Sequence, residues 1–485
     1  MSTTTPVAST STMTSSPSTP PPRAQLLETD SLSSLSSSLE TASSLLQSHI
    51  PVAFPTETVY GLGASALSSL AVQRIFSAKG RPSDNPLIVH IGSREMLESL
   101  LPSAKPTDGK GKGKVEINEM YEALMSKFWP GPLSLIFDLT PSSTQDPPEL
   151  TVAPEVTANL PSLCIRMPSH PLALQLIQSS NLPLAAPSAN LSSRPSPTSA
   201  RHVMNDLGIG RGVGAVLDGG DCTVGLESTV VDYVPSPSGE SGGQLRILRA
   251  GGISTEEIES CLKEAGIVGG GVQVYSRDFK STSLESQPTT PGMKYKHYSP
   301  GNSKVILVKP VSNNKFLPSL QELVQLSSLT QKKDDQSFRV GLMLTSETLS
   351  SLSITTHPST SSLENAPTEL ERVQLPPSNS EDSMFSQLAQ GEESNLPELD
   401  TIECWSLSLG SREEPDEGAR RLFRGLRWFD SMERPASGEG EVEGEGVDLI
   451  LVECVEEKGR GLAFMERVRK AAGGGQKGGE MEFAL

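Results

Sequence analysis

The sequence lacks what a membrane, secreted or nucleic-acid-binding protein needs. No apolar run approaches the roughly 18 residues of a bilayer-spanning helix. The N-terminus has no apolar core for a secretory signal. Aromatic residues make up 4% of the 485 and hydrophobic residues 35%, low for a chain folded throughout, so part of the length is expected to be disordered. Cys164, Cys222, Cys261, Cys404 and Cys454 are scattered, with no CxxC pair and no histidine at zinc-ligand spacing. They read as small core residues of a reducing compartment. The 40 basic residues are outnumbered by 58 acidic ones, and the net charge of −18 opposes a broad nucleic-acid-binding face. There is no P-loop GxxxxGK[ST], no Ser-His-Asp order and no acidic nucleophile pair. A cytoplasmic protein is expected. The Ser/Thr-rich start, with Arg23 the single base of its first thirty residues, leaves a mitochondrial form open.

What is present alternates strands with helices. Residues 1–30 are Ser, Thr and Pro with little else and read as disordered. From 31 to 266, apolar runs at 50–54, 87–91, 133–137, 163–167, 214–218, 228–233 and 245–249 read as strands. Helical spacing falls at 68–78, 117–127, 169–179 and 254–265, the last with a capping box from Ser254 to Glu257. Residues 267–302 read as a linker interrupted by Pro291–Pro300 (PGMKYKHYSP), a dense aromatic and basic cluster for a spacer. A smaller α/β unit follows over 303–475, with the segments 309–337, 346–398 and 433–446 read as loops or disordered insertions. Alternation of this kind predicts α/β architecture in both units.

The chemistry-bearing residues gather at strand ends, where open α/β sheets bind ligands. Pro55–Gly63 (PTETVYGLG) follows a strand and offers hydroxyls beside glycines that let a ligand approach the backbone. Lys79, Arg81 and Asn85 place two cations and an amide within seven residues, a phosphate cradle or else a solvated basic helix end. His90 lies inside an apolar strand, either as a core histidine or facing a pocket. Arg166 is mid-strand, so it must meet an acidic partner, such as Glu227, or an anionic ligand. Ser188 and Asn190 end another strand, followed by Ser196, as a turn or as phosphate and sugar contacts. Arg249 ends the last strand of the first unit. Positioning and charge acting on a nucleotide fit this set better than covalent catalysis.

PTETVYGLGA, KGRPSDNPLIVHI, FWPGPLSLIF, LCIRMP, PSANLSSRPSPT, GLESTVVDY and ILRAGG, in this order, resemble the YrdC-like family. The cluster PGMKYKHYSP and the following unit resemble its two-domain form. The resemblance implies a large YrdC-like domain with a twisted mixed sheet and a smaller Rossmann-like C-terminal domain. It implies synthesis of L-threonylcarbamoyl-adenylate from L-threonine, bicarbonate and ATP, with pyrophosphate released. The product serves modification of adenosine 37 in tRNAs that read ANN codons. By motif, Thr58, His90, Arg166, Ala186 and Ser228 would hold threonine. Lys79 and Arg81 would be catalytic. Arg81, Asn85, Ser162, Ser188, Asn190, Ser196, Arg249 and Tyr298 would contact the nucleotide. Mg²⁺ would accompany ATP, with no protein side chain assigned as its ligand. Hand-over to a tRNA-modifying transferase complex is implied, without tight tRNA binding or a membrane.

Overall fold

The structure is a computed structural model that describes residues 22–102, 115–140, 152–236, 243–267, 271–286, 289–290, 297–311, 320, 323–324, 338–352, 355–357, 370–374, 402–432, 446–473 and 481–484. The tail over 1–21, the Lys/Gly-rich loop over 103–114, residues 291–296 of the linker cluster and most of the three insertions in the second unit lie outside the described residues.

The first unit runs β1 (Gln25–Leu27), α1 (Leu32–Gln47), β2 (Val52–Phe54), β3 (Gly61–Ser65), α2 (Ser69–Lys79), β4 (Val89–His90), α3 (Arg94–Leu100), α4 (Glu119–Phe128), β5 (Leu133–Asp138), α5 (Pro154–Thr157), β6 (Ser162–Arg166), α6 (Pro171–Ser180), β7 (Leu184–Ala185), α7 (Ala200–Leu207), β8 (Ala215–Leu217), β9 (Thr229–Val234), β10 (Gln244–Arg249), α8 (Thr255–Glu264), β11 (Val272–Val274) and α9 (Thr282–Ser286). Its sheet is mixed, in the order β1-β8-β2-β3-β7-β4-β6-β5-β9-β10-β11. The outermost strands correct two boundaries. β1 pairs in parallel with β8, inside a segment expected to be disordered, and β11 pairs in parallel with β10, inside a segment expected to be linker. Both are three-residue edge strands, too short to show a period.

Local signals explain the helix ends that shape the site. The Ser68 side chain caps α2 by accepting from the Ala71 amide. The helix stops at Gly80, in the left-handed region at φ 60°, and the Arg81 amide bonds back to the Phe76 carbonyl. That reversal points the chain from Lys79 and Arg81 into the cleft. The Ser254–Glu257 box forms as expected, at 2.8 and 3.2 Å. Gly63 is required by close approach, because a Cβ there would stand 2.6 Å from the Phe54 ring.

The second unit comprises β12 (Lys304–Val311), β13 (Phe338–Leu344), α10 (Ser346–Ser351), β14 (Thr355–His357), β15 (Leu370–Gln374), β16 (Ile402–Ser408), α11 (Pro415–Asp430), β17 (Leu449–Glu453), α12 (Arg460–Ala471) and β18 (Met481–Ala484). The sheet order is β14-β15-β16-β13-β17-β12-β18, with a parallel centre and an antiparallel edge. α10, β14 and β15 fall in the segment expected to be an insertion without structure, and β18 lies beyond the expected end of the unit. One apolar cluster runs through both units, joining Leu226 and Tyr298 to Phe423 of α11 and Phe464 of α12. Among the described residues, no helix is long and apolar enough to cross a membrane.

Candidate active site

The sheet order brings β3, β7, β4 and β6 side by side, and their ends open on one cleft of about 740 Å³ including its mouth. Thr56, Thr58, Lys79, Arg81, His90, Arg166, Ala186, Ser188, Asn190, Ser196, Glu227, Ser228, Arg249, His297 and Tyr298 all line it. These residues are spread over 243 positions of sequence, from 56 to 298, and converge because strands of distant origin are neighbours.

One half is built around Arg166. The β4–β6 register sets it beside His90. Its Nη1 donates to the Thr58 hydroxyl at 2.8 Å and its Nε to the Gly131 carbonyl at 3.1 Å, while Nη2 pairs with the Glu57 carboxylate. Glu57 is buried, and its other oxygen accepts from the Ser169 amide at 3.1 Å. The acidic partner is therefore Glu57, not Glu227. A guanidinium has five N–H groups, so two remain to meet a ligand carboxylate. His90 is buried, its Nδ1 3.3 Å from the Ile88 carbonyl and its ring edge-on to Phe54. Burial first, and then the Arg166 charge, lower its pKa to about 3, so the ring is neutral at physiological pH.

That shift has a consequence for stability. On acidification the unfolded chain takes up a proton at His90 near its ordinary value of 6.5, whereas the folded chain does not until about 3. Folding is therefore weakened as pH falls through that window, by about 1.4 kcal/mol per unit from this residue. Urea unfolding between pH 6.5 and 4 should show a shallower pH dependence for His90→Asn than for wild type. Equal slopes would contradict a neutral buried His90.

The other half carries the remaining cations. Lys79 is buried and donates from Nζ to the carbonyls of Ser188 and Asn190. Burial and then the neighbouring Arg81 push its pKa well below the ordinary lysine value. Arg81 donates from Nη2 to the Pro86 carbonyl at 3.2 Å. Arg249 is buried and donates to the Ser228 carbonyl at 2.9 Å and hydroxyl at 3.0 Å, and the Ser228 hydroxyl meets that of Ser134 at 2.8 Å. Glu227 accepts from the Ser196 hydroxyl at 2.6 Å. Burial opposes its charge, but Arg467 and Arg249 outweigh that and hold the carboxyl below the usual range. Tyr298 has φ 64°, and its ring stacks at 5.1 Å on Phe423.

Two expected contacts are not in the cleft lining. Ser162 begins β6 and Arg166 ends it, so a full strand, about 13 Å, separates them. Asn85 lies just behind Arg81, buried, with its Oδ1 lacking a hydrogen-bond partner. Sequence reasoning passed over Glu57, which stood inside a quoted motif, and Arg467, which reaches Glu227 from α12 of the second unit. The available signal for Arg467 was its place on the apolar stripe of that helix, in line with Phe464 and Ala471.

Residues 44–251 match the sequence family described as "Telomere recombination", and residues 253–473 match that described as "Threonylcarbamoyl-AMP synthase, C-terminal domain". The chain is 37% identical over 450 residues to the threonylcarbamoyl-AMP synthase of Schizosaccharomyces pombe, covering 90% of this chain and 88% of that one. It is 36% identical over 423 residues to that of Pyrococcus abyssi, covering 87% and 90%. The crystal structure of P. abyssi Sua5 complexed with L-threonine superposes with a TM-score of 0.62 at 32% identity, over 95% of this chain and 99% of that one. With both units matched in order along the length of these relatives, the chain belongs to the threonylcarbamoyl-AMP synthase family, in its two-domain form.

Proposed function

We propose that this chain condenses L-threonine, bicarbonate and ATP into L-threonylcarbamoyl-adenylate and releases pyrophosphate, for modification of adenosine 37 in tRNAs reading ANN codons. The observation that carries this reading is the division of one cleft into a half built on Arg166 and a half holding Lys79, Arg81 and Arg249. A related enzyme is seen with L-threonine bound.

In this reading Arg166 receives the threonine carboxylate, with Thr58, His90, Ala186 and Ser228 around the rest of the amino acid. A neutral His90 accepts or donates one hydrogen bond without adding charge. The threonine amine attacks bicarbonate, water leaves, and a carbamate forms. A carbamate oxygen then attacks the α-phosphorus of ATP in line, a new P–O bond forms, and the bond to the β-phosphate oxygen breaks. Both reactants are anions, and negative charge grows on the departing pyrophosphate. Lys79, Arg81 and Arg249 offset that charge in a site where burial strengthens them. In this reading Ser188, Asn190, Ser196 and Tyr298 contact the nucleotide from the cleft lining, and Asn85 and Ser162 from outside that lining.

Mg²⁺ fits this reading as a companion of the triphosphate. Glu227 of the cleft lining is engaged by Arg467, Glu57 beside the cleft is engaged by Arg166, and among the described residues no group of three metal-ligating side chains occurs. The metal would be held by phosphate oxygens and would neutralise their charge. The adenylate passes to a tRNA-modifying transferase in a cytoplasmic setting.

The test uses labelled bicarbonate, ATP and L-threonine with the purified protein. Threonine-dependent pyrophosphate release and a labelled adenylate are expected. Equal release with glycine or serine would overturn the reading.

A further inference from the structure

The two halves of the cleft are supported from different sides. Arg166, Thr58 and His90 rest on partners within the first unit, namely Glu57, Gly131 and Ile88. The other half is gripped by two arginines of the second unit. Arg467 on α12 is 1% exposed, and donates from Nε to Glu227 at 3.1 Å and from Nη1 to the Ala250 carbonyl. Its guanidinium lies 5.9 Å from the centre of the Tyr298 ring. The other oxygen of Glu227 holds the Ser196 hydroxyl. Arg427 on α11 donates to the carbonyls of Pro195 and Ser196, and to Asp206 at 2.8 and 3.3 Å. Asp206 in turn accepts from the Leu191 amide and from Arg194, both at 3.2 Å.

The segment 191–196 is thus held at its 195–196 end by Arg427 directly and by Arg467 through Glu227, and at Leu191 through Asp206, the carboxylate that Arg427 pairs. Desolvating two arginines is expensive unless their partners are well placed, and breaking such a pair leaves a buried charge. A hydrophobic interface alone would join the units without that cost, and one already exists around Phe423 and Phe464. The buried ion pairs therefore do something the apolar contact does not: they fix the direction of Glu227 and of the Ser196 hydroxyl.

We propose that the second unit serves as a positioning element for the nucleotide half of the cleft, with Arg467 setting Ser196 through Glu227 and Arg427 setting the 191–196 segment. Both are positioning residues rather than catalytic ones. The inference rests on the proposed function, and the assay separates the two. If the wild-type full chain fails to release pyrophosphate with threonine, the function is wrong; the variants are compared only against an active wild type.

Arg467→Met should raise the ATP KM about tenfold to a hundredfold, the effect expected of a misplaced contact group, while the threonine KM changes less than about threefold. Ser196→Ala should weaken ATP use in the wild type but add less than about twofold on top of Arg467→Met, because the two residues act through one carboxylate. An equal rise of both KM values, or independent effects of the two substitutions, would overturn the proposal and leave the arginines as simple interface contacts. Arg427→Lys keeps the charge and loses the fork, so it covers the case in which Arg467→Met does not fold. It should show the same split at several-fold, and no split would equally overturn the proposal.

Discussion

Replacing Arg166 by lysine should raise the threonine KM about a hundredfold while leaving the ATP KM within about threefold. The size follows from the contacts at stake. A bidentate, charge-assisted contact to a carboxylate contributes on the order of 3 kcal/mol, and lysine supplies a point charge in its place. The lysine variant is the informative one because of Glu57. Removing the cation altogether, as in Arg166→Ala, leaves a buried carboxylate unpaired at a cost of about 3–5 kcal/mol, which mixes stability with binding. Arg166→Ala should accordingly unfold at lower temperature and also lose threonine affinity, whereas Arg166→Lys keeps the ion pair. The measurement is initial pyrophosphate release against threonine at saturating ATP, and against ATP at saturating threonine. Parallel rises in the two KM values would remove Arg166 from the threonine side of the cleft.

That Arg166 would be central was legible in the sequence, since an arginine inside Leu-Cys-Ile-Arg-Met-Pro has to be paired. Its partner was not. Glu57 and Glu227 both stand beside hydroxyls in quoted motifs, and only the path of the chain after β2 decides that Glu57 reaches the end of β6. Glu227 is instead drawn away by Arg467, 240 positions later. The Ser254–Glu257 helix start was readable because caps are local chemistry. β1 and β11 were not, because three-residue edge strands take their pairing from β8 and β10 rather than from a pattern of their own. Ser162 opens β6 and Arg166 closes it.

Replacing Lys79 by methionine should lower kcat/KM by about a hundredfold to a thousandfold, the range seen when one preorganised charge-stabilising donor is removed. The pH dependence carries the sharper test. The protonated amine is the form that offsets phosphate charge, and its folded pKa lies well below the ordinary 10.5, through burial and the Arg81 charge. Activity of the wild type should therefore fall as pH rises through that lowered value, at a pH where an exposed lysine would still be charged. Bound triphosphate adds negative charge beside the amine and pulls the pKa back up, so the alkaline limb should appear at lower pH in kcat/KM than in kcat. Methionine cannot titrate, and the variant's profile should lack the limb. Lys79 also ties the Ser188 and Asn190 carbonyls together, so part of the loss in Lys79→Met comes from disordered backbone. Lys79→Arg separates the contributions: it keeps a charge that does not titrate below about pH 12. If arginine restores part of the rate with no alkaline limb, the charge is what matters. A limb that persists unchanged in Lys79→Met would assign the ionisation elsewhere and take the cation role from Lys79.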